Sequence, residues 1–403
     1  MRFATSFLFV SIFMNFPVFG DWKEELLKSA AQKSGYLSPS LVNRKFDKGK
    51  AALGEIIFES KVMSLNSNMS CSTCHIDKFS SADGLPNAVG TGGRGTGMER
   101  LNSPGLIIPR NTLPLWGRGG KFFPVFFWDG KVEQKGTSII SQFGWAAPSS
   151  DPLVVSIHLP FVEVREMVDD TAHVKDEFKN ENIGSAIKVQ KILADRVRRN
   201  PGLLKRFLIS YQLDEKEFRF SHIIDSVAHH IKNKFRLRES KFSRFVKGKG
   251  TLSRNEKEGG LLFYGKGKCG TCHQGPHFSD FKYHTIITRD LGFGKNGFGV
   301  DYGHFNVTFD PDDLYKFRTP PLHNVFDTPP YFHSGSVAKL RDAIVAHYDP
   351  LSLYDWKKMD PIRRRELYRK LASVKNPDLI PNYLDKKEIQ NVIEFLKTLS
   401  FVN

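Results

Sequence analysis

Four cysteines occur in the chain, in two groups of one pattern, Cys71-Ser-Thr-Cys74-His75 and Cys269-Gly-Thr-Cys272-His273. Two thiols one helical turn apart can form thioethers to the vinyl groups of a porphyrin while the next imidazole ligates its iron. No cysteine is left over for a disulfide, the ordinary use of an even count in an exported chain. A closed zinc site would require both pairs to come together, and a redox Cys-x-x-Cys leaves both following histidines unexplained. The pattern therefore points to two covalently bound haems c. Cys71, Cys74, Cys269 and Cys272 are the attachment points, and His75 and His273 the proximal iron ligands.

What such centres do depends on the opposite axial position, where methionine raises the potential. After the first twenty residues only Met63, Met69, Met98, Met167 and Met359 remain. None lies between Met167 and Met359, the stretch that must build the core around the second pair. A methionine-ligated second haem is not expected.

The elements that must position these residues repeat as well. Gly54-Glu-Ile-Ile-Phe58 leads to Cys71, Gly259-Gly-Leu-Leu-Phe263 leads to Cys269, and each group continues to a Phe-Ser, at Phe79 and Phe278. Tandem duplication of a cytochrome unit is the simplest account. Residues 82 to 120 are crowded with Gly, Pro, Asn and Thr and read as a long functional loop. Apolar residues recur at helical intervals over 184–211, 220–235 and 384–399, the last with Asp385 near its start and Lys397 near its end. The fold class is mainly α, with two tandem cytochrome c-like domains, long irregular loops, and haems either side of a domain interface.

Arg2 and the apolar stretch after it, ending before Asp21, read as a signal peptide over residues 1–20, with an uncleaved anchor as the alternative. The expected domains are then 21–215 and 216–403, each owning one haem, in a periplasmic protein with no stable membrane insertion after processing. A formal charge of +16 is spread over residues 191–206, 232–257 and 357–370, read mainly as solvated helix faces. An exported cytochrome does not meet nucleic acid, so any role for this charge is steering of an acidic redox partner.

The motifs resemble the bacterial dihaem cytochrome c peroxidase and MauG family over nearly the whole mature chain. The segments that carry the likeness are the first Cys-x-x-Cys-His with Phe79 and Asp83-Gly84, Pro109-Arg110-Asn111-Thr112, Phe127-Trp128-Asp129-Gly130, Cys269-Gly-Thr-Cys-His-Gln-Gly-Pro276, Phe317-Arg318-Thr319-Pro320 and Pro330-Tyr-Phe-His333-Ser-Gly335. The resemblance implies a peroxide-reacting N-terminal haem, an electron-transferring C-terminal haem, and Trp128 between them. It also implies a calcium ion at the interface, held by Asn111 and by the carbonyls of Thr328 and Pro330. The family's acid–base glutamate is followed by methionine, which selects Glu166 of Glu166-Met167, with Glu163 as the competitor.

Two departures from the family pattern carry consequences. Relatives that need reductive activation have a distal histidine in a Val-Gly-His-Gly setting, where this chain reads Val89-Gly90-Thr91-Gly92. The first haem is thus expected to be five-coordinate and open to peroxide, the MauG-type arrangement. On the far side of the second haem, Ala346-His347-Tyr348 replaces the usual methionine. Counting from His333 puts His347 in register, whereas MauG-type proteins use a tyrosine, and the reading leans to Tyr348. His333 is expected near a haem edge or the interface.

The function expected is a peroxidase-type oxidoreductase that reacts with hydrogen peroxide at the N-terminal haem. Electrons come through the C-terminal haem from a small redox protein or from residues of a partner protein, and the two departures favour the second source. The alternative is a non-enzymatic dihaem periplasmic electron carrier. The family likeness also allows a homodimer.

Overall fold

Two helix crossings of the same kind organise the chain. The computed structural model describes residues 22–401 apart from 145–146, 172–173, 290, 292–293, 298, 356 and 376–379. The leader expected at 1–20 therefore lies outside the described residues. In chain order, the elements that matter for the site are α1 (Trp22–Lys33), α2 (Lys48–Glu59), the single turn α3 (Cys71–Cys74), α4 (Ile183–Arg198), α5 (Pro201–Tyr211), α6 (Phe220–Lys234), α7 (Arg254–Tyr264), α8 (Leu340–Ala346), α9 (Pro361–Ala372) and α10 (Lys386–Lys397). The molecule is mainly helical, as its sequence indicates. The helical pattern over 184–211 is two helices, because Asn200 caps Leu203 N and Pro201 opens a new first turn.

α2 crosses α6 at Gly54, where a Cβ would stand 1.9 Å from Ser226 O. α7 crosses α10 at Gly259, where a Cβ would stand 1.8 Å from Asn391 O. The repeated glycine is thus the point at which two backbones touch, and an alanine at either site would force the helices apart. The repeated phenylalanines, Phe58 and Phe263, are each 1 % exposed and project from these crossings into the two cores. Each fully buried side chain of this kind stabilises the fold by about 1.5–3 kcal/mol.

The first core holds Leu53, Ile57, Phe58, Ile223, Ile224, Val227, Ile231 and Phe235 together with the apolar faces of α4 and α5. The second holds Phe242, Phe245, Phe263, Ile389, Val392, Phe395 and Leu396, and it also takes Leu27 and Ala31 from α1. The packing therefore does not divide at 215/216. α6 belongs with the first unit because its apolar face is the cover that α2 requires, as α10 is the cover for α7. α1, although first in the chain, belongs with the second unit.

Short antiparallel strands pack against the first core. β1 (Val125–Phe126), β2 (Val132–Lys135) and β3 (Ser138–Ser141) form one sheet, and β4 (Tyr283–His284) pairs with β5 (Phe317–Arg318). The turn from β1 to β2 is Phe127-Trp128-Asp129-Gly130, and Trp128 O accepts a hydrogen bond from Arg318 N at 2.8 Å. The loop over 82–120 is irregular, as expected, apart from one helical turn at Met98–Leu101. α9 is largely solvated, but Lys370 at its end is buried and donates to Thr288 O. Among the described residues no helix is long and apolar enough to cross a membrane.

Candidate functional site

α3 places Cys71 and Cys74 one turn apart, both half-buried. His75 follows as the cap of that turn, and its Nδ1 lies 2.9 Å from Ser81 O. The second group repeats this arrangement, with Cys269–Thr271 in a single turn and His273 Nδ1 at 3.0 Å from Phe278 O. Both acceptor residues have left-handed backbones, Ser81 at φ 67° and Phe278 at φ 53°. In each unit, therefore, the carbonyl after the motif holds the imidazole by Nδ1 and leaves Nε2 free for iron. Burial lowers the pKa of His75 and His273 to about 4, so both rings are neutral at physiological pH, as a metal ligand must be. The paired thiols, the neutral imidazoles and their oriented Nε2 atoms fit haem c at both sites.

Two loops meet beside the first pair. Gly90 and Thr91 abut the Glu163–Val168 turn, with Thr91 N donating to Arg165 O at 2.9 Å. Thr91 is buried and its hydroxyl has no hydrogen-bond partner. Arg100 fixes this loop from behind, donating to Val89 O, Gly90 O and Gly93 O at 2.7, 2.7 and 2.9 Å and to Met69 Sδ at 2.9 Å. Glu166 stands near enough to Cys71 and Cys74 for its charge to raise the pKa of both thiols, although burial is the larger cause. Burial and the neighbouring Glu163 raise its own pKa from 4.5 to about 7, against the pull of Lys131.

The competitor, Glu163, is otherwise engaged. Lys131 Nζ holds its carboxylate at 2.7 Å, and despite burial that cation keeps Glu163 below the usual carboxylate range. Of the two glutamates, only Glu166 has a proton to trade near neutral pH.

At the second pair, the His347 ring stands against His273, their centroids 6.5 Å apart. Ala343 O holds His347 Nδ1 at 2.7 Å, which leaves Nε2 on the open edge of the ring. Tyr348, which the sequence reading preferred, faces elsewhere: its hydroxyl donates to Leu384 O at 3.3 Å and its ring lies against Tyr383. The reason is helical phase, since α8 ends at Ala346 and presents the two residues in different directions. Nearby, His284 Nε2 lies 2.9 Å from Asp280 Oδ2, and that hydrogen bond is the largest of the influences that raise the His284 pKa.

Trp128 lies between the two units. Its Nε1 donates to Asn111 O at 2.9 Å, while Arg318 Nε donates to Phe127 O at 2.9 Å. Asn111 reaches the second unit twice, through its backbone N to His333 O at 2.7 Å and its side-chain amide to Pro330 O at 2.7 Å. Asn111 and Pro330 are therefore together, joined through the amide N–H of Asn111 rather than the amide oxygen that would ligate a cation. The Thr328 hydroxyl turns to Val325 O, which leaves the carbonyl as its remaining donor. His333 stacks on Phe317 at 3.7 Å, within the interface.

A buried ion network that sequence reading did not find locks this boundary. Arg110 binds Asp129 at 2.5 Å and Asp301 at 2.7 and 2.9 Å, and the side chains of the two aspartates are 1 % and 2 % exposed. Burial opposes ionisation of both aspartates, but Arg110 holds them below the usual carboxylate range. Arg110 and Asp129 each stand in a motif, whereas no local signal joins them to Asp301 across the chain.

A family model described as di-haem cytochrome c peroxidase matches residues 48–251, half of the chain. The chain is 28 % identical over 360 residues to the cytochrome-c peroxidase IdrP1 of Pseudomonas sp. strain SCT, covering 82 % of this chain and 79 % of that protein. It is 25 % identical over 389 residues to the methylamine utilization protein MauG of Paracoccus denitrificans, covering 89 % and 90 %. The fold resembles the crystal structure of the diheme peroxidase BthA of Burkholderia thailandensis with a TM-score of 0.64 at 18 % identity, over 91 % of this chain and 89 % of that one.

Proposed function

We propose a function from one premise: the chain belongs to the di-haem cytochrome c peroxidase family. Like its relatives it is an oxidoreductase, with haem c as cofactor and peroxide and a redox protein as partners. Our finer reading is that peroxide reacts on the Cys71–His75 side and that electrons arrive through the Cys269–His273 side, with the two haems on either side of the boundary at Trp128. The observation that carries it is the meeting of Thr91 and the Glu166 turn beside the first pair. A threonine stands where relatives that need activation have a ligating histidine, and the turn it bonds to carries Glu166, whose carboxyl has a pKa near neutrality.

When bound, haem c supplies the iron that receives peroxide and the electrons that reduce it. In the proposed mechanism the residues of the chain do the rest. Glu166 takes a proton from one peroxide oxygen and returns it to the other, which becomes the leaving water. Lys131 keeps Glu163 ionised, and that negative charge keeps the Glu166 pKa high. Trp128 spans the boundary as the relay for electrons. His347, rather than Tyr348, would hold the second haem's iron together with His273, a choice supported by its ring position and its free Nε2. A hard imidazole donor in place of methionine lowers the potential of that side, which favours residues of a partner protein over a small cytochrome as the electron source. Asn111 with the carbonyls of Thr328 and Pro330 would hold calcium. Location in the periplasm and a homodimer complete the proposal.

The test is to add peroxide to the fully oxidised holoprotein. A high-spin ferric band that changes within the mixing experiment is the expected result, with subsequent modification of a co-purifying protein. A wholly low-spin spectrum that peroxide leaves unchanged refutes the reading and favours a plain electron carrier.

A further inference from the structure

Two buried arginines have no part in the chemistry so far. Arg118 and Arg318 are 8 % and 1 % exposed, and among the described residues neither forms an ion pair with a carboxylate. Arg118 donates through Nε to Pro114 O at 2.9 Å. Arg318 donates through Nε to Phe127 O at 2.9 Å and through Nη1 to Thr319 O at 3.0 Å. Its Nη2 is buried with no hydrogen-bond partner. The rings of Phe123 and Phe281 lie 5.9 and 5.7 Å from its guanidinium carbon.

The two guanidinium groups are close enough for the charge of Arg318 to lower the pKa of Arg118, second to burial as a cause. The carboxylate that Arg318 feels, Asp129, is already held by Arg110. Arg118 is also felt at His75, and Arg318 at His277, four residues beyond His273. Contacts place them likewise: Arg118 N donates to Leu115 O in the turn whose Leu115 N donates to Ser81 Oγ, beside the carbonyl that holds His75, and the Phe123 ring next to Arg318 lies 5.2 Å from the ring of His277. Two like charges out of water, one with an unsatisfied N–H, are costly unless an anion joins them. The planar fork of arginine fits a carboxylate.

We propose that Arg118 and Arg318 are the seat for haem propionate carboxylates at the boundary between the units, Arg118 on the His75 side and Arg318 on the Trp128 side. This rests on haem attachment at both Cys-x-x-Cys-His groups, which the mass of the holoprotein checks independently. The cations stabilise the reduced state of the adjacent haem and keep its propionates ionised, so its reduction potential does not vary with pH near neutrality.

Spectroelectrochemical titration of the holoprotein, Arg118→Gln, Arg318→Gln and the corresponding Lys variants tests the inference, together with the propionate bending band in resonance Raman spectra. With two haems attached, each Gln variant is expected to lower the reduction equilibrium constant of one haem at least tenfold, about 59 mV for one electron. The potential becomes pH-dependent and the propionate band shifts, while Lys restores most of the potential. Gln variants with both haems and constants within about twofold of the parent overturn the proposal. So does a parent protein whose potentials depend on pH between about 6 and 8, or respond to added phosphate or chloride, the latter marking an exchangeable anion in the seat. If the Gln chains do not mature, Lys variants with a shifted propionate band support the seat, and an unshifted band overturns it. The parent titration decides if no variant matures.

Discussion

Replacing Glu166 with glutamine isolates the proton-transfer step. Burial and Glu163 move its pKa from 4.5 to about 7, a cost to the ionised form on the order of 3 kcal/mol. If the ionised carboxylate is the base, the rate of reaction with peroxide should follow its ionised fraction. That fraction is about one half at pH 7 and about one hundredth at pH 5, so the rate falls roughly fifty-fold over this interval, whereas an ordinary carboxylate would change it by less than about twofold. Stopped-flow mixing of oxidised holoprotein with peroxide across this range reads the profile directly. Glu166→Gln should lower the rate by roughly 10²–10⁴-fold and flatten the profile. Glu163→Gln, which removes the neighbouring negative charge, should shift the midpoint to lower pH without abolishing the step. A Glu166→Gln protein that keeps the parent rate, or a parent profile that is flat between these pH values, would refute the assignment.

Three further outcomes follow from the same geometry. His347→Met should raise the potential of the second haem and alter its low-spin spectrum, while Tyr348→Phe should leave the spectrum unchanged and cost only about 1 kcal/mol for the lost bond to Leu384 O; the opposite pattern in spectroelectrochemistry would return the ligand role to Tyr348. Trp128→Phe should slow electron exchange between the haems in flash or stopped-flow experiments and, by orphaning Asn111 O, lower stability by about 1–3 kcal/mol. Arg110→Met leaves Asp129 and Asp301 buried and unpaired, and denaturant titration should show a loss of about 3–5 kcal/mol. In the parent both aspartate pKa values are depressed in the fold. The stability they contribute is therefore fully present above the ordinary carboxylate value of about 4 and is lost as pH falls through their lower folded values; a parent with no such acid limb would contradict the network.

The thioether and imidazole positions are legible in the chain alone because the chemistry depends on neighbours in sequence: two thiols and a histidine within one turn. The Gly-x-x-x-Phe repeats are legible for a similar reason, although only the crossings at Ser226 and Asn391 explain the need for glycine. Capping at Asp385, whose side chain accepts from Glu388 N, is likewise local. What the tertiary structure decided are approaches between distant segments. Helical phase at the end of α8 turned His347, not Tyr348, toward His273, and Lys131 took Glu163 and left Glu166 with a raised pKa. The need of α2 for a cover drew α6 into the first unit. Burial of an arginine carries no mark in a sequence, because it is a property of what surrounds the side chain; Arg110 and Arg318 stand in recognisable motifs, but the partners of these two and of Arg100 and Arg118 became visible only once the fold had brought carbonyls, carboxylates or each other to their guanidinium groups.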